Sequence, residues 1–272
     1  MCEHLSHTDK QATSQQSRFL DACRAFNRAE ISKDELLATT ARLGFNNVID
    51  AFHIVNAAPI ETRFFIDERD QRPQGIRLSD DLFRLNESIQ CANLGPEVEA
   101  RWRLVETAWS LNLARHLMVI SYEAETRLLV IPDRLLRRKT ITSSRSALNG
   151  YQKGKCFYCA RPIVLEDGSF SGVDVDHFFP HVLKFELSGL NLDGVWNLVL
   201  ACGECNKGAG GKGARVPDVS LIERLHHRND WLINSHHPLR ETIIAQTGSS
   251  EPERRRFLQS AYGAARSVLI HT

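Results

Sequence analysis

The sequence predicts an α+β fold: a mostly helical N-terminal part, a small strand-containing module towards the centre, and helices at the C-terminal end. Three observations predict it. Apolar residues recur at three- to four-residue steps in the early, middle and late parts of the chain. Short runs rich in β-formers, such as TRFFIDE, MVISYEA and TRLLVIPD, interrupt that pattern. Two Cys-x-x-Cys pairs, Cys156/Cys159 and Cys202/Cys205, are separated by 42 residues. Four thiolates at such spacing can hold one tetrahedral zinc ion and pin two distant backbone turns together.

Residues 1–16, rich in Ser, Gln and Thr, read as a disordered tail. Over 17–94, SRFLDACRAFNRA sets Phe19, Leu20, Cys23 and Phe26 at helical spacing. Ser32 with Glu35 three residues later forms a capping-box signal for a helix over about 33–43, which Gly44 ends. A third helix is expected over about Asn46–Val55, followed by two short strands, TRFFIDE and GIRLSDDL, around the turn DQRPQ. Three helices and a hairpin is the order of a winged-helix module, whose third helix enters the DNA major groove. Here that helix, NNVIDAFHIV, has no Arg or Lys, so protein docking and plain scaffolding stand beside DNA reading.

Over 95–150 we expect a long helix from about Pro96 to Met118, with Trp102, Val105, Trp109, Leu113 and Leu117 as a core stripe, then a hairpin turning near Glu125 and a basic connector. Residues 151–216 hold the cysteine module, and 217–272 carry helices near 218–234 and 251–269.

A chain of 272 residues that is 42% hydrophobic can bury a globular core. Its net charge of +1 argues against a protein that coats nucleic acid along its whole surface. No apolar run is long enough to span a bilayer, and no secretory signal is visible, so no membrane partner is expected. Cys2, Cys23 and Cys91 share no pattern with the other four cysteines; free thiols beside a tetrathiolate site fit a reducing, cytoplasmic setting. Charge is nevertheless local. Between Arg134 and Lys155 there are seven Arg or Lys residues and no acidic one. Arg137, Arg138, Lys139 and Arg145 from this stretch, with Lys207 and Lys212, are candidate phosphate contacts; a solvated helix face is the alternative.

Between the cysteine pairs lies VDVDHFFP, with Asp176 beside His177, and then NLVLACGECNK, with Asn197 and Asn206. The ordered set CFYC, DHFFP, NL and CGECN resembles the HNH endonucleases, the ββα-metal nucleases, in their four-cysteine zinc-knuckle form. The resemblance covers about 60 residues, from Gly154 to Arg215. It implies a structural Zn²⁺ on Cys156, Cys159, Cys202 and Cys205, and DNA as partner and substrate. It also implies His177 as general base, Asp176 and Asn206 as ligands of a catalytic Mg²⁺ or Mn²⁺, and Asn197 as a residue that fixes the imidazole's direction. Chains of this make-up often serve defence against foreign DNA, with partner proteins.

The chemistry agrees with those residue types. An unperturbed imidazole titrates near pH ~6.5 and can accept a proton from water at neutral pH. A carboxylate and a carboxamide oxygen are hard donors suited to Mg²⁺ or Mn²⁺. Asp174 would lie on the same strand face as Asp176, while Asp176 and His177 would need a bulge or bend to face one site. His181 is a second imidazole, read as decorating the loop. Gly208, Gly210, Gly211 and Gly213 predict a short or broken helix after Asn206. A non-catalytic, zinc-stabilised module that binds nucleic acid or protein is the competing reading.

Overall fold

The structure, a computed structural model, describes residues 17–55, 57–73, 75–110, 120–132, 138–163, 172–187, 189–235 and 237–269. The expected tail, Leu113, Leu117 and Arg137 lie outside them. The chain divides into two compact units, Met1–Ser88 and Ile89–Thr272.

The first unit contains α1 (Arg18–Asn27), α2 (Lys33–Thr39) and α3 (Asn46–Phe52), with a π-turn over Thr40–Gly44 between the last two. Ser32 caps α2 through the expected box, with the Glu35 side chain returning to the Ser32 backbone. Two antiparallel ribbons follow: β1 (Ile54–Val55) with β2 (Ala58–Pro59), and β3 (Phe65–Asp67) with β4 (Ile76–Leu78). A short helix, α4 (Asp80–Asn86), ends the unit. Three helices and a hairpin therefore occur in the expected order. The core is small: Cys23 and Leu36 are buried, with Phe19, Leu20, Phe26 and Ile31 packed on them. Val48 and Phe52 of α3 are exposed, an apolar rather than a basic surface.

In the second unit, α5 (Ile89–Ser110) starts seven residues before the expected point and carries Pro96 inside it. Its most deeply buried apolar side chains are Ala100, Leu104 and Ala108, whereas Trp102, Val105 and Trp109 are half-buried on the flank. Small residues let the helix approach its neighbours closely, and the two indoles pack edge to face, 5.8 Å apart, beside that seam. An antiparallel meander follows, β5 (Ser121–Glu123), β6 (Leu128–Pro132) and β7 (Arg138–Ser143), with its first turn at residues 124–127 as expected. The basic connector thus supplies a third strand and the helix α6 (Ser144–Gln152). At Gly150 a Cβ would stand 2.8 Å from the Trp231 ring, so glycine is what lets α6 pack there.

β8 (Val173–His177) pairs antiparallel with β9 (Leu198–Cys202), and α7 (Gly203–Lys207) follows directly. Three helices complete the unit: α8 (Val219–Asn234), α9 (Arg240–Thr247) and α10 (Glu251–Leu269); α9 had no periodic signal. One core runs through Leu104, Leu129, Leu148, Phe178, Trp196, Leu200, Leu232, Ile243 and Leu258. The boundaries expected at 150/151 and 216/217 therefore fall inside a single body. The cysteine module shares this core through Cys156, Phe157, Val173 and Leu200. No helix among the described residues is long and apolar enough to cross a membrane.

His237, just before α9, is 2% exposed and accepts the Leu239 N–H at Nδ1, 3.1 Å away. Burial, with the Arg101 and Arg228 charges, lowers its pKa to about 3. The folded state thus prefers neutral imidazole. Its contribution is complete above the unfolded value near ~6.5 and is lost as the pH falls towards the folded value. Stability in urea should fall by about 2 kcal/mol between pH 7.5 and pH 5.0 from this group alone. His237→Gln should remove about that much of the dependence and leave the part due to His177; equal stability of the wild type at both pH values would refute it.

Candidate functional site

The two cysteine pairs meet. Their four sulfurs lie within 4.8 Å of one another, and Cys159 Sγ is 3.8 Å from Cys202 Sγ. A tetrahedral zinc ion with bonds of about 2.3 Å spaces its ligands by about 3.8 Å, and a disulfide would bring two sulfurs to about 2 Å. The cluster fits a metal such as zinc, and all four thiols are free of disulfides. Burial raises the thiols of Cys156 and Cys205, so a cation is what would favour the thiolates. Local chain geometry builds the cage. The first knuckle turns back on itself through Cys156 N–H to Arg161 O, 2.9 Å, and docks on β9 through Phe157 N–H to Leu200 O, 2.9 Å. Gln152 stitches the same strand, donating to Leu200 O and accepting from Leu200 N–H at 2.7 and 2.8 Å.

β8 carries Asp174 and Asp176 on one face. Asp176, 7% exposed, accepts from the Tyr158 hydroxyl at 2.5 Å and from Lys212 Nζ at 3.2 Å. Asp174 accepts from Asn206 Nδ2 at 3.0 Å and from Lys207 Nζ at 3.2 Å. Burial pushes the Asp176 carboxyl up and the Lys212 ammonium down, and each partner's charge opposes the other's shift. One expectation changes here. Lys212 is not a free surface cation: its side chain is 6% exposed and spent on Asp176. Asp176 and Asn206, the expected ligands of one divalent ion, each bond to a different partner.

The glycine run explains where Lys212 lies. α7 has only five residues and ends at Gly208, so it lies ahead of the glycines with Asn206 near its end, where a short helix starting after Asn206 was expected. A Cβ on Gly208 or Gly211 would come within 2.6 Å of Glu204 O. The loop folds back on the helix end, with Lys212 N–H donating to Cys205 O at 2.7 Å and Gly213 N–H to Asn206 O at 2.9 Å. That return delivers the Lys212 ammonium to the carboxylate.

His177 ends β8, in register with Leu198 and with no bulge. The expected bend is absent, so His177 and Asp176 take different partners. His177 Nε2 is 3.2 Å from Asp193 Oδ1, and its ring lies against Tyr122 and His181, with centroids 5.6 and 5.4 Å away. Burial lowers its pKa to about 4 despite Asp193, so the imidazole is neutral at pH 7. A neutral ring donating from Nε2 keeps its lone pair on Nδ1. Asp193 also takes Lys184 Nζ at 2.6 Å and His181 Nε2 at 3.5 Å. Its burial favours the acid, but the hydrogen bond and charge of the Lys184 ammonium outweigh that and hold the carboxylate. The Lys212 charge acts on both Asp176 and His177.

Asn197, fully buried, clamps the connection between β8 and β9. Its Oδ1 accepts from Phe179 N–H at 2.8 Å, and Nδ2 donates to Phe179 O and Leu192 O at 3.0 and 2.9 Å. From α8, Arg228 donates to Val195 O and Leu198 O at 3.0 and 2.6 Å, and Asn229 to Trp196 O at 3.1 Å. The stretch leading into β9 is thereby fixed from both sides. Asn197→Ala would leave three buried backbone groups without partners, at about 1–3 kcal/mol each. Denaturant unfolding should show a loss of at least about 3 kcal/mol; a loss below 1 kcal/mol would contradict the clamp.

Of the basic candidates, Arg138 and Lys139 lie on β7. Arg145, on α6, is half-buried, and its charge acts on Tyr122, the ring beside His177. Tyr158, Asp193, Lys184 and Arg228 had no sequence signal, because no spacing rule links them to the motif. Among the described residues one other donor group, His226, Asp230 and Glu251, gathers between α8 and α10. Arg254 already bonds Asp230 at 2.7 Å and Arg255 bonds Glu251 at 2.9 Å, and buried His226 Nδ1 has no hydrogen-bond partner among the described residues. A metal-bound imidazole needs its second N–H held, so this group reads as an ionic tie between helices.

No protein-family model, no curated protein and no solved structure matches the chain.

Proposed function

We propose that this protein is a metal-dependent endonuclease of the HNH kind that hydrolyses DNA phosphodiester bonds, one strand per event. The observation that carries the reading is His177, braced by Asp193 at the end of the strand that presents Asp174 and Asp176. His177 Nδ1 would accept the proton of the attacking water. Asp193 would orient the ring and stabilise the imidazolium that forms, as a carboxylate does behind a general-base histidine. Asp176, Asp174 and the Asn206 carbonyl oxygen are a hard-donor set suited to Mg²⁺ or Mn²⁺. Such an ion supplies charge neutralisation at the phosphate and at the leaving 3′ oxygen. Lys207 and Lys212 offset the repulsion that an incoming phosphodiester would meet at two carboxylates. The four-cysteine site leaves no open coordination position and would serve structure alone.

The test is conversion of supercoiled plasmid in Mg²⁺, Mn²⁺ or Ni²⁺. Open circles should accumulate before linear product, because one site cuts one strand. The Lys212–Asp176 ion pair and the Asn206–Asp174 hydrogen bond, which satisfy the expected ligands internally, favour the second reading: a zinc-stabilised module that binds without cutting. Plasmid that stays supercoiled with every cation, while still bound, would establish that reading instead.

A further inference from the structure

The loop that returns Lys212 to Asp176 continues into the wall of an open cavity of about 480 Å³, lined by residues 214–217 of that loop and by Tyr262, Arg266 and Leu269. The size suits a ligand of nucleotide scale. Its walls divide by chemistry. Val216, Pro217, Leu269 and the Tyr262 ring offer apolar surface for a flat heterocycle. Arg266 is exposed and sits over the Tyr262 ring, 5.7 Å from its centroid, while Arg215 brings a second guanidinium. Arg215 also fixes the wall, donating to Lys212 O and Gly210 O at 3.3 Å each. An aromatic ring with arginines beside it is how sequence-tolerant sites hold one base and its phosphate. Position adds to chemistry. Ala214 is two residues from Lys212, so at most about 7 Å of backbone separates the rim from the lysine on Asp176.

We propose that this cavity, between the 214–217 segment and α10, binds one nucleotide of the substrate strand beside the site of cleavage, its base on Tyr262 and its phosphate on Arg266 and Arg215. This rests on the nuclease reading for the identity of the strand. The cavity can be tested without turnover. Binding of a fluorescent single-stranded DNA oligonucleotide is measured by anisotropy on full-length His177→Ala protein. Adding Arg266→Ala, an exposed change that spares the core, should weaken binding about five- to tenfold, as should Tyr262→Ala. Arg266→Lys should recover part of the loss. Oligonucleotides carrying 5-iodouracil should photocrosslink to Tyr262.

Unchanged affinity in the Arg266→Ala protein, with no crosslink at Tyr262, would overturn the proposal even if Tyr262→Ala proved unfolded. Plasmid nicking by the wild type is scored separately. Nicking with normal affinity in Arg266→Ala removes the cavity and keeps the nuclease. Cavity-dependent binding with no nicking keeps the cavity and removes the nuclease.

Discussion

Replacing Cys205 or Cys156 with serine should lower the melting temperature of the second unit by at least about 7 °C and abolish stoichiometric zinc. In small zinc peptides a closed site contributes roughly 10–16 kcal/mol of apparent folding free energy. Here the cysteine turns share a core with α5, α6 and α8, so the remainder of the unit should survive their loss better than an isolated knuckle does. Even a third of that free energy, at about 2–4 °C per kcal/mol for a body of this size, gives the stated shift. The damage should be local first. Tyr158 leaves Asp176 when the first turn opens, and Asn206 leaves Asp174 when the second does. Calorimetry with metal analysis checks this; one zinc per chain is expected. A cysteine variant that melts with the wild type, or a metal-free wild type of equal stability, would remove zinc from the account.

His177→Ala should reduce plasmid nicking by about 10²- to 10⁴-fold, the range for losing a positioned general base. DNA affinity should be nearly unchanged, since the side chain is largely buried and bonds to Asp193. Asp193→Asn should retain a hydrogen-bond acceptor for Nε2 but lose the charge that stabilises the imidazolium. A fall of at least about tenfold in kcat with KM unchanged is expected. Nicking by His177→Ala at the wild-type rate would dismiss the imidazole as base. A normal rate in Asp193→Asn would reduce that residue to an accidental neighbour.

The outline of the fold was legible where a local rule governs. The capping box at Ser32, the hairpin turn at 124–127 and the helices at 219–234 and 251–269 each follow from a few adjacent residues. Contact between the two cysteine pairs was legible as well, because four thiols with such spacing have few other uses. Long-range choices were not. The buried face of α5 is Ala100, Leu104 and Ala108 rather than the tryptophans, because close helix packing rewards small side chains. α9 carries too weak a periodicity to announce itself, and its place is decided by Ile243 entering the shared core.

By itself the sequence determined which residues could do chemistry: four thiolates for a structural ion, and an aspartate, a histidine and two asparagines in a fixed order. Only the tertiary structure decided whom each one meets. Lys212 is carried into a buried ion pair by a glycine loop folded on a helix end, and Asp193 reaches His177 from the connection between strands. Side-chain type is a local property, but hydrogen-bond partners, burial and charge are set by segments far apart in the chain, and no spacing rule encodes them.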